Sequence, residues 1–257
     1  ESKVSSSMQR GPVAVMRTRV ALCVAALFLA AVAAEECRDE NDGCANWAAS
    51  GECNRNSGFM HSACPLSCNT CPKPIDPALV ELGDERVAME IEGYGTIVLG
   101  FFPNAAPVTV AHILKLFRMG CYDTNHIFRV DKGFVAQIQS VGPSSVTKKI
   151  SPDCRAEAEK TVPAEFTPVR HVRGILSMGR TSDPDSGGSS FSMLLGRAAH
   201  LDNEYTVFGK VLSGEEVLAQ LEQVETRKEG IFVMPKHRIT ISEATVGSAQ
   251  VDHQVEL

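Results

Sequence analysis

The chain has 257 residues and a formal net charge of -6, with 44% hydrophobic and 22% charged residues. This composition is ordinary for globular proteins, and the length allows one or two domains. The acidic balance excludes a general nucleic-acid-binding protein, which needs a basic face.

Residues 1–34 are expected to be an upstream segment and a signal peptide, with Met16 as the natural start. Arg17 and Arg19 form a positive region before the apolar run from Val20 to Ala34, whose small residues suit cleavage. A spanning helix needs about 20 apolar residues, and this run is shorter. Contact with a membrane is therefore expected only if the signal stays uncleaved.

Residues 35–72 form a small cysteine-dense segment, and the prolines that follow it predict a linker at 73–83. Six of the nine cysteines lie between Cys37 and Cys71, and their spacing alone does not choose among the possible disulfide pairings. A metal site at Cys68-Asn-Thr-Cys71 is disfavoured because a second close pair is missing. A redox pair there is disfavoured because no βαβ pattern surrounds it.

The residues between these cysteines also form a pattern, namely Trp47-Ala48, Gly51-Glu52, Met60 and the Pro-Leu-Ser between Cys64 and Cys68. The segment resembles the ShK-type toxin-like module. The resemblance implies the disulfides Cys37–Cys71, Cys44–Cys64 and Cys53–Cys68. Channel-blocking members carry a Lys-Tyr pair where this chain has Gly58-Phe59, so an appended interaction or spacer module is favoured over channel blockade.

Residues 84–247 have a different sequence pattern, which predicts many short strands and two amphipathic helices. Strands are predicted at 86–92, 96–102, 127–130, 134–138, 175–178, 191–195, 206–211 and 238–246. One helix is predicted at 107–119, and a capping box at Ser213-Gly-Glu-Glu216 predicts the start of the other. The stretch 140–173 is expected to be irregular, and residues 248–257 to be a solvated tail. The pattern predicts a mainly β, closed antiparallel barrel with helices over its open ends.

The stretch from Phe128 to Gln137 carries chemistry suited to rotating an Xaa-Pro peptide bond. That rotation has a barrier of about 18–20 kcal/mol and requires neither a nucleophile nor a metal. A donor to the prolyl nitrogen localises its lone pair, and an apolar cup holds the ring. Arg129, Phe134 and Gln137 are spaced so that successive antiparallel strands would bring them to one pocket, and no cofactor or metal is expected.

The same stretch resembles the signature of the cyclophilins, in which an Arg precedes Gly-Phe-x-x-Gln. Gly174-Ile-Leu-Ser-Met178, Gly188-Ser-Ser-Phe191, Leu201-Asp202 and Val207-Phe-Gly-Lys-Val211 follow in the order of that family. The resemblance implies an eight-stranded barrel with two capping helices and peptidyl-prolyl cis-trans isomerase activity. It implies that Arg129 is the catalytic donor, that Phe134 helps to form the proline pocket, and that Gln137 holds the substrate backbone.

The resemblance also implies a set of substrate-binding positions, several of which depart from the family pattern. They are Val135, Gly179, Arg180, Ser190, Phe191, Ser192, His200, Leu201 and Tyr205. Ser192 replaces a Phe of the pocket floor, and His200 replaces a Trp. A metal or acid/base role for His200 is disfavoured. The departures resemble a diverged plant-type secretory subgroup and predict weak activity.

The expected partners are proline-containing peptides or unfolded secretory proteins, bound by a monomer in the endoplasmic reticulum lumen or outside the cell. The C-terminal Gln-Val-Glu-Leu only weakly resembles an endoplasmic-reticulum retention signal. An alternative function is a weakly active or inactive proline-peptide-binding module whose partners are selected by the cysteine-rich segment. Cys121 and Cys154 lie outside that segment, and the sequence leaves open whether they pair.

Overall fold

Three short helices build the cysteine-rich module, within a computed structural model that describes residues 37–71 and 73–249. The helices are α1 (Cys44–Ala49), α2 (Glu52–Arg55) and α3 (Ser57–Ala63). Only Cys44, Met60 and Cys64 form the buried centre of this module. The predicted signal peptide at 1–34 and most of the predicted tail at 248–257 lie outside the described residues.

Disulfides connect these helices to one another and to the ends of the module. The structure forms Cys37–Cys71, Cys44–Cys64 and Cys53–Cys68, the same pairs that the resemblance implies. They close loops of 34, 20 and 15 residues. So small a core cannot stabilise a fold alone, and cross-links that restrict the unfolded chain compensate for it.

The remainder of the described chain contains ten strands and three α-helices. The strands are β1 (Glu85–Ile91), β2 (Gly95–Phe101), β3 (His126–Asp131), β4 (Val135–Ile138), β5 (Ile175–Met178), β6 (Phe191–Leu194), β7 (Val207–Ser213), β8 (Thr226–Glu229), β9 (Phe232–Pro235) and β10 (Ile239–Ser248). The helices are α4 (Pro107–Arg118), α5 (Pro152–Ala158) and α6 (Glu215–Leu221).

Eight of these strands close into an antiparallel barrel with the spatial order β1-β10-β3-β4-β6-β5-β7-β2. This confirms the predicted fold class. Alternate residues of each strand point into the barrel, where Met89, Leu99 and Phe208 are fully buried. Helix α4 contacts β7 and β10, and α6 contacts β2.

A fourth disulfide joins Cys121, just after α4, to Cys154 in α5, with their Cα atoms 5.6 Å apart. The structure thus forms the pair that the sequence left open. Helix α5 interrupts the stretch expected to be irregular. Ser151 begins it by accepting a hydrogen bond from the backbone of Cys154. The disulfide fixes the position of α5, and residues 158–161, at the end of this helix and just after it, line the cleft described below.

Helix α6 does not begin with the predicted capping box. Ser213 is the last residue of β7, and Gly214 occupies the N-cap position without a side-chain cap. Gly214 has a φ of 94°, and a Cβ atom there would lie 2.6 Å from the carbonyl oxygen of Thr96. The strand therefore extends to the helix through a turn that only glycine fits.

The predicted linker includes a segment that packs on the barrel domain. Ile75 forms a parallel bridge with Val169, and Gly83 donates a backbone hydrogen bond to Phe101. Val80 and Leu82 pack against a buried cluster that contains Phe102. We accordingly propose that the folded barrel domain begins before residue 84, near Ile75.

Candidate functional site

A row of four side chains crosses the outer face of four neighbouring strands. Arg129 on β3 is paired with Gln137 on β4, Gln137 with Ser192 on β6, and Ser192 with Ser177 on β5. Residues directly opposite in antiparallel strands share one face of the sheet. Apart from Phe128, their sequence neighbours belong to the hydrophobic core, so these four side chains line the outside of the barrel.

A bulge in β3 brings an additional side chain to this face. The pairing shifts between Ile127 and Arg129, so Phe128 is an extra residue in the strand. A bulge of this kind bends a strand locally and redirects its side chains. Phe128 and Arg129 both line the cleft as a result, while Ile127 stays in the core.

Arg129 is held between aromatic rings. Its guanidinium carbon lies 5.1 Å from the centroid of the Phe134 ring and 5.8 Å from that of Phe232, distances typical of cation–π contacts. It donates a hydrogen bond to Asp131 across 3.1 Å. Its buried Nε atom has no hydrogen-bond partner among the described residues. The guanidinium is therefore held in place, and its buried Nε–H is unsatisfied.

The cleft around this row has a volume of about 540 Å³. Ten of the predicted site residues line it: Arg129, Phe134, Val135, Gln137, Gly179, Arg180, Ser190, Ser192, Leu201 and Tyr205. Phe191 and His200 do not. Phe191 points into the barrel and packs on Tyr122 and Phe208. His200 is exposed and contacts Phe134, with ring centroids 5.2 Å apart.

Gln137 is oriented by a short chain of hydrogen bonds. Its Nε2 atom donates to Ser190 Oγ at 3.2 Å, and Ser190 Oγ donates to the carbonyl oxygen of Ile138 at 2.8 Å. These contacts leave the amide oxygen of Gln137 available to a ligand. Gly179 lies beside them, where a Cβ atom would be 2.9 Å from the carbonyl oxygen of Ser190, too close for any other residue without a shift.

Arg180 and Tyr205 stack at one side of the cleft. The guanidinium carbon of Arg180 lies 4.2 Å from the centroid of the Tyr205 ring. The Nε and Nη2 atoms of Arg180 donate hydrogen bonds to the carbonyl oxygen of Glu204 at 3.1 and 3.0 Å. Both side chains are thus anchored, and they form a firm wall that carries a positive charge.

Ser177 is connected to a buried histidine beneath the cleft. Its Oγ atom lies 3.0 Å from His171 Nε2, and His171 Nδ1 lies 3.0 Å from a carboxylate oxygen of Asp202. Burial lowers the pKa of His171, although Asp202 opposes that shift. The ring is therefore neutral at pH 7, with its proton on Nδ1 because a carboxylate only accepts. It follows that Ser177 donates to Nε2.

Several residues that line the cleft are not among the site residues predicted from the sequence. Phe128, Ser177, Ile231 and Phe232 are among them. Ile231 and Phe232 belong to the β8–β9 hairpin, and the Phe232 ring lies 5.4 Å from that of Phe128. Gly230, which has a φ of 60°, lies in the turn between β8 and β9, and glycine is a turn signal, but it does not show where the hairpin packs.

Within residues 37–71 and 73–249, metal-binding clusters and membrane-spanning helices are both absent. In that part of the chain no group of three or more His, Cys, Asp or Glu side chains is arranged to hold a metal ion. None of the helices there has the length and apolar character needed to span a bilayer.

Comparison with known families places the fold and cleft in a class. The family model for "Cyclophilin type peptidyl-prolyl cis-trans isomerase/CLD" matches residues 86–246, and the "ShK domain-like" model matches residues 36–71. The chain belongs to the cyclophilin-type peptidyl-prolyl cis-trans isomerases, a family of enzymes, and carries an N-terminal ShK-like module.

Individual relatives agree with this assignment. The chain is 58% identical over 161 residues to the peptidyl-prolyl cis-trans isomerase CYP23 of Arabidopsis thaliana. The matched region covers 63% of this chain and 70% of that protein. It is 30% identical over 165 residues to a probable peptidyl-prolyl cis-trans isomerase of Brucella abortus, covering 63% of this chain and 79% of the relative.

Solved structures show the same barrel. A cyclophilin type peptidyl-prolyl cis-trans isomerase of Cryptosporidium parvum matches with a TM-score of 0.54 and 26% identity, covering 65% of this chain and 99% of that one. A second structure of that protein, obtained in the presence of the dipeptide Ala-Pro, matches with a TM-score of 0.53 and 26% identity, covering 63% and 99%.

Proposed function

We propose that this protein isomerises Xaa-Pro peptide bonds of proteins in the secretory pathway, with Arg129 as the donor to the prolyl nitrogen. The observation that carries the proposal is the placement of Arg129. It lines the cleft beside Phe134 and Gln137, and its Nε–H lacks a partner among the described residues.

The chemistry requires no covalent step. A hydrogen bond from Arg129 to the prolyl nitrogen draws the nitrogen lone pair out of the amide resonance, which lowers the barrier to rotation about the C–N bond. The guanidinium donates a hydrogen bond without transferring its proton, because rotation about the C–N bond needs no proton transfer. The contacts with Phe134 and Asp131 hold it in one orientation, so little reorganisation accompanies the reaction.

The remaining cleft residues bind and orient the substrate in this proposal. Gln137 offers its amide oxygen to a backbone N–H of the peptide. Phe134, Leu201 and Tyr205 enclose the proline ring, and the buried Val135 supports that wall. His200 packs on Phe134 and restricts the position of that ring.

The disulfides support the proposed location. The described residues contain four, three in the ShK-like module and one in the barrel domain. Such bonds persist in oxidising compartments and are rare in the reducing cytosol. We propose that the protein works as a monomer in the endoplasmic reticulum lumen or outside the cell.

A proline-peptide-binding function with little turnover is the second candidate. The observation that favours it is the serine at position 192, which lines the cleft where the family pattern has an aromatic residue. Full burial of a Phe side chain is worth about 1.5–3 kcal/mol. The loss of that contact weakens binding of an ordinary proline ring, and the ShK-like module would then select the partners.

One experiment separates the two candidates. Exchange NMR on a panel of Xaa-Pro peptides measures catalysed isomerisation directly, and peptide titrations give the dissociation constants. We expect turnover by the wild-type chain and at least a hundredfold loss in Arg129→Ala, with peptide affinity changed much less. Binding without turnover, identical in both proteins, would leave only the binding function.

A further inference from the structure

Ser192 stands at the centre of the polar row, between Gln137 on one side and Ser177 on the other. Its exposed fraction is 9%, and it lines the cleft. No hydrogen bond to its hydroxyl occurs among the described residues, whereas the side chains of Gln137 and Ser177 both have partners. This hydroxyl has no partner in the described part of the chain and lies at the surface of the cleft, so it is available to a ligand.

We propose that the cleft is suited to prolines that carry a ring hydroxyl, such as 4-hydroxyproline. This deepens the proposed function and rests on it, because it assumes that the prolyl ring occupies the cleft beside Arg129. The polar atom that would meet Ser192 is the hydroxyl oxygen on Cγ of the ring.

The orientation of the ring follows from the position of the donor. If the prolyl nitrogen faces Arg129 on β3, the Cγ atom on the opposite side of the ring points away from β3. Ser192 lies on β6, two strands from β3 in the barrel order. Neighbouring strands are about 4.8 Å apart, so Ser192 is placed beyond the ring and not beside its nitrogen.

The hydrogen-bonding roles of the two serines complement a hydroxyl group. Ser177 donates its hydroxyl proton to His171 Nε2, so a lone pair of its oxygen can accept a hydrogen bond from a ligand. Ser192 has both its proton and its lone pairs free. A ring hydroxyl can therefore donate to Ser177 and accept from Ser192, whereas an unmodified ring leaves Ser192 unsatisfied.

The walls of the cleft keep the ring itself in apolar surroundings. Phe134 and Leu201 line the same space, and Leu201 belongs to the buried cluster behind it. The cleft thus combines apolar sides with a polar floor. This combination matches a saturated ring with one hydroxyl more closely than it matches either a bare ring or a charged group.

The test compares two peptides that differ only in the 4-hydroxyl, with the full chain as enzyme. Exchange NMR gives kcat/KM for each after subtraction of its uncatalysed rate, and titration gives each dissociation constant. One additional hydrogen bond predicts about a three- to tenfold preference for the hydroxylated peptide. Ser192→Ala should bring that ratio close to one, whatever its effect on the absolute rates for the two peptides. Ser213→Ala, at the exposed end of β7, is the matched control and should keep the preference.

The possible results are distinguishable from failure of the proposed function. Equal or better handling of the unmodified peptide by the wild-type chain, with no effect of Ser192→Ala on the ratio, would overturn the inference alone. Absence of turnover on both peptides would overturn the proposed catalysis. The ratio of dissociation constants would still decide the inference in that case.

Discussion

The guanidinium of Arg129 lies over the ring of Phe134, with 5.1 Å between the guanidinium carbon and the ring centroid. The two residues are brought together by the turn between β3 and β4, which places a fixed charge next to an apolar wall. The proposed donor, Arg129, and the apolar surface for the proline ring, Phe134, are in direct contact. A substitution of either residue therefore affects the position of the other.

Replacing Arg129 with Lys should retain the charge and lose the fork of N–H groups. An ammonium group is a point charge that cannot donate to Asp131 and to a prolyl nitrogen in the same planar geometry. We expect kcat/KM for an Xaa-Pro peptide to fall by about 10- to 100-fold, measured by exchange NMR. Arg227→Lys, on the exposed strand β8, is the control. Full activity of Arg129→Lys would show that charge alone suffices.

Phe232→Ala should remove one of the two aromatic contacts that hold the Arg129 guanidinium and leave the contact with Phe134. The variant removes a ring that lies 5.8 Å from the guanidinium carbon and 5.4 Å from the Phe128 ring. A cation–π contact is worth about 0.5–2 kcal/mol, so kcat/KM should drop by about two- to thirtyfold. Val233→Ala changes the opposite face of the same strand and should have little effect. Equal losses in both variants would indicate general disruption of the hairpin.

Removing the Cys121–Cys154 disulfide should destabilise the barrel domain. The bond closes a loop with a sequence separation of 33 residues, which predicts a loss of about 3–4 kcal/mol in the free energy of unfolding for a Cys121→Ala/Cys154→Ala variant. Urea denaturation followed by circular dichroism measures the change. An unchanged midpoint would mean that the loop is restrained equally well without the bond.

Glu157→Gln should lower stability at neutral pH but not in strong acid. Lys115 and Lys160 each donate a hydrogen bond to the carboxylate of Glu157, and they lower its pKa from 4.5 to about 2. A depressed pKa contributes stability above the unfolded-state value, and that contribution is lost as the pH falls through the folded-state value.

The difference between the wild type and Glu157→Gln should therefore be largest above pH 4.5 and disappear near pH 2. Urea midpoints measured across this range provide the check. Glu159→Gln, at an exposed neighbouring position, should show no such pH dependence. A gap between wild type and Glu157→Gln that persisted unchanged into strong acid would contradict the assigned ion pairs.

The barrel strands were predictable because their alternating pattern is a local property. The prediction of a strand at Ile175–Met178 was confirmed, and most other boundaries differ by one or two residues. The β8–β9 hairpin was missed because Arg227, Lys228 and Glu229 have low strand propensity. Its position depends on the packing of Phe232 against the cleft, a tertiary contact that the local pattern does not show.

Placement in the cleft was harder to predict than membership of a strand. Phe191 was predicted to bind substrate, yet the alternation of β6 turns it into the core and leaves Ser192 on the outside. Ser177 was not considered because its role depends on His171 and Asp202, which meet it only in the folded chain. The Cys121–Cys154 pairing likewise depended on a distance that the sequence does not contain.

The circular order of the barrel strands has a consequence for a protein proposed to handle unfolded chains. Every one of the eight strands has a neighbouring strand on both sides, so the barrel lacks the long open edge at which an extended client could add a strand. Such strand addition is a common first step in co-aggregation. The closed order therefore disfavours it, and a client can dissociate from the barrel after each encounter.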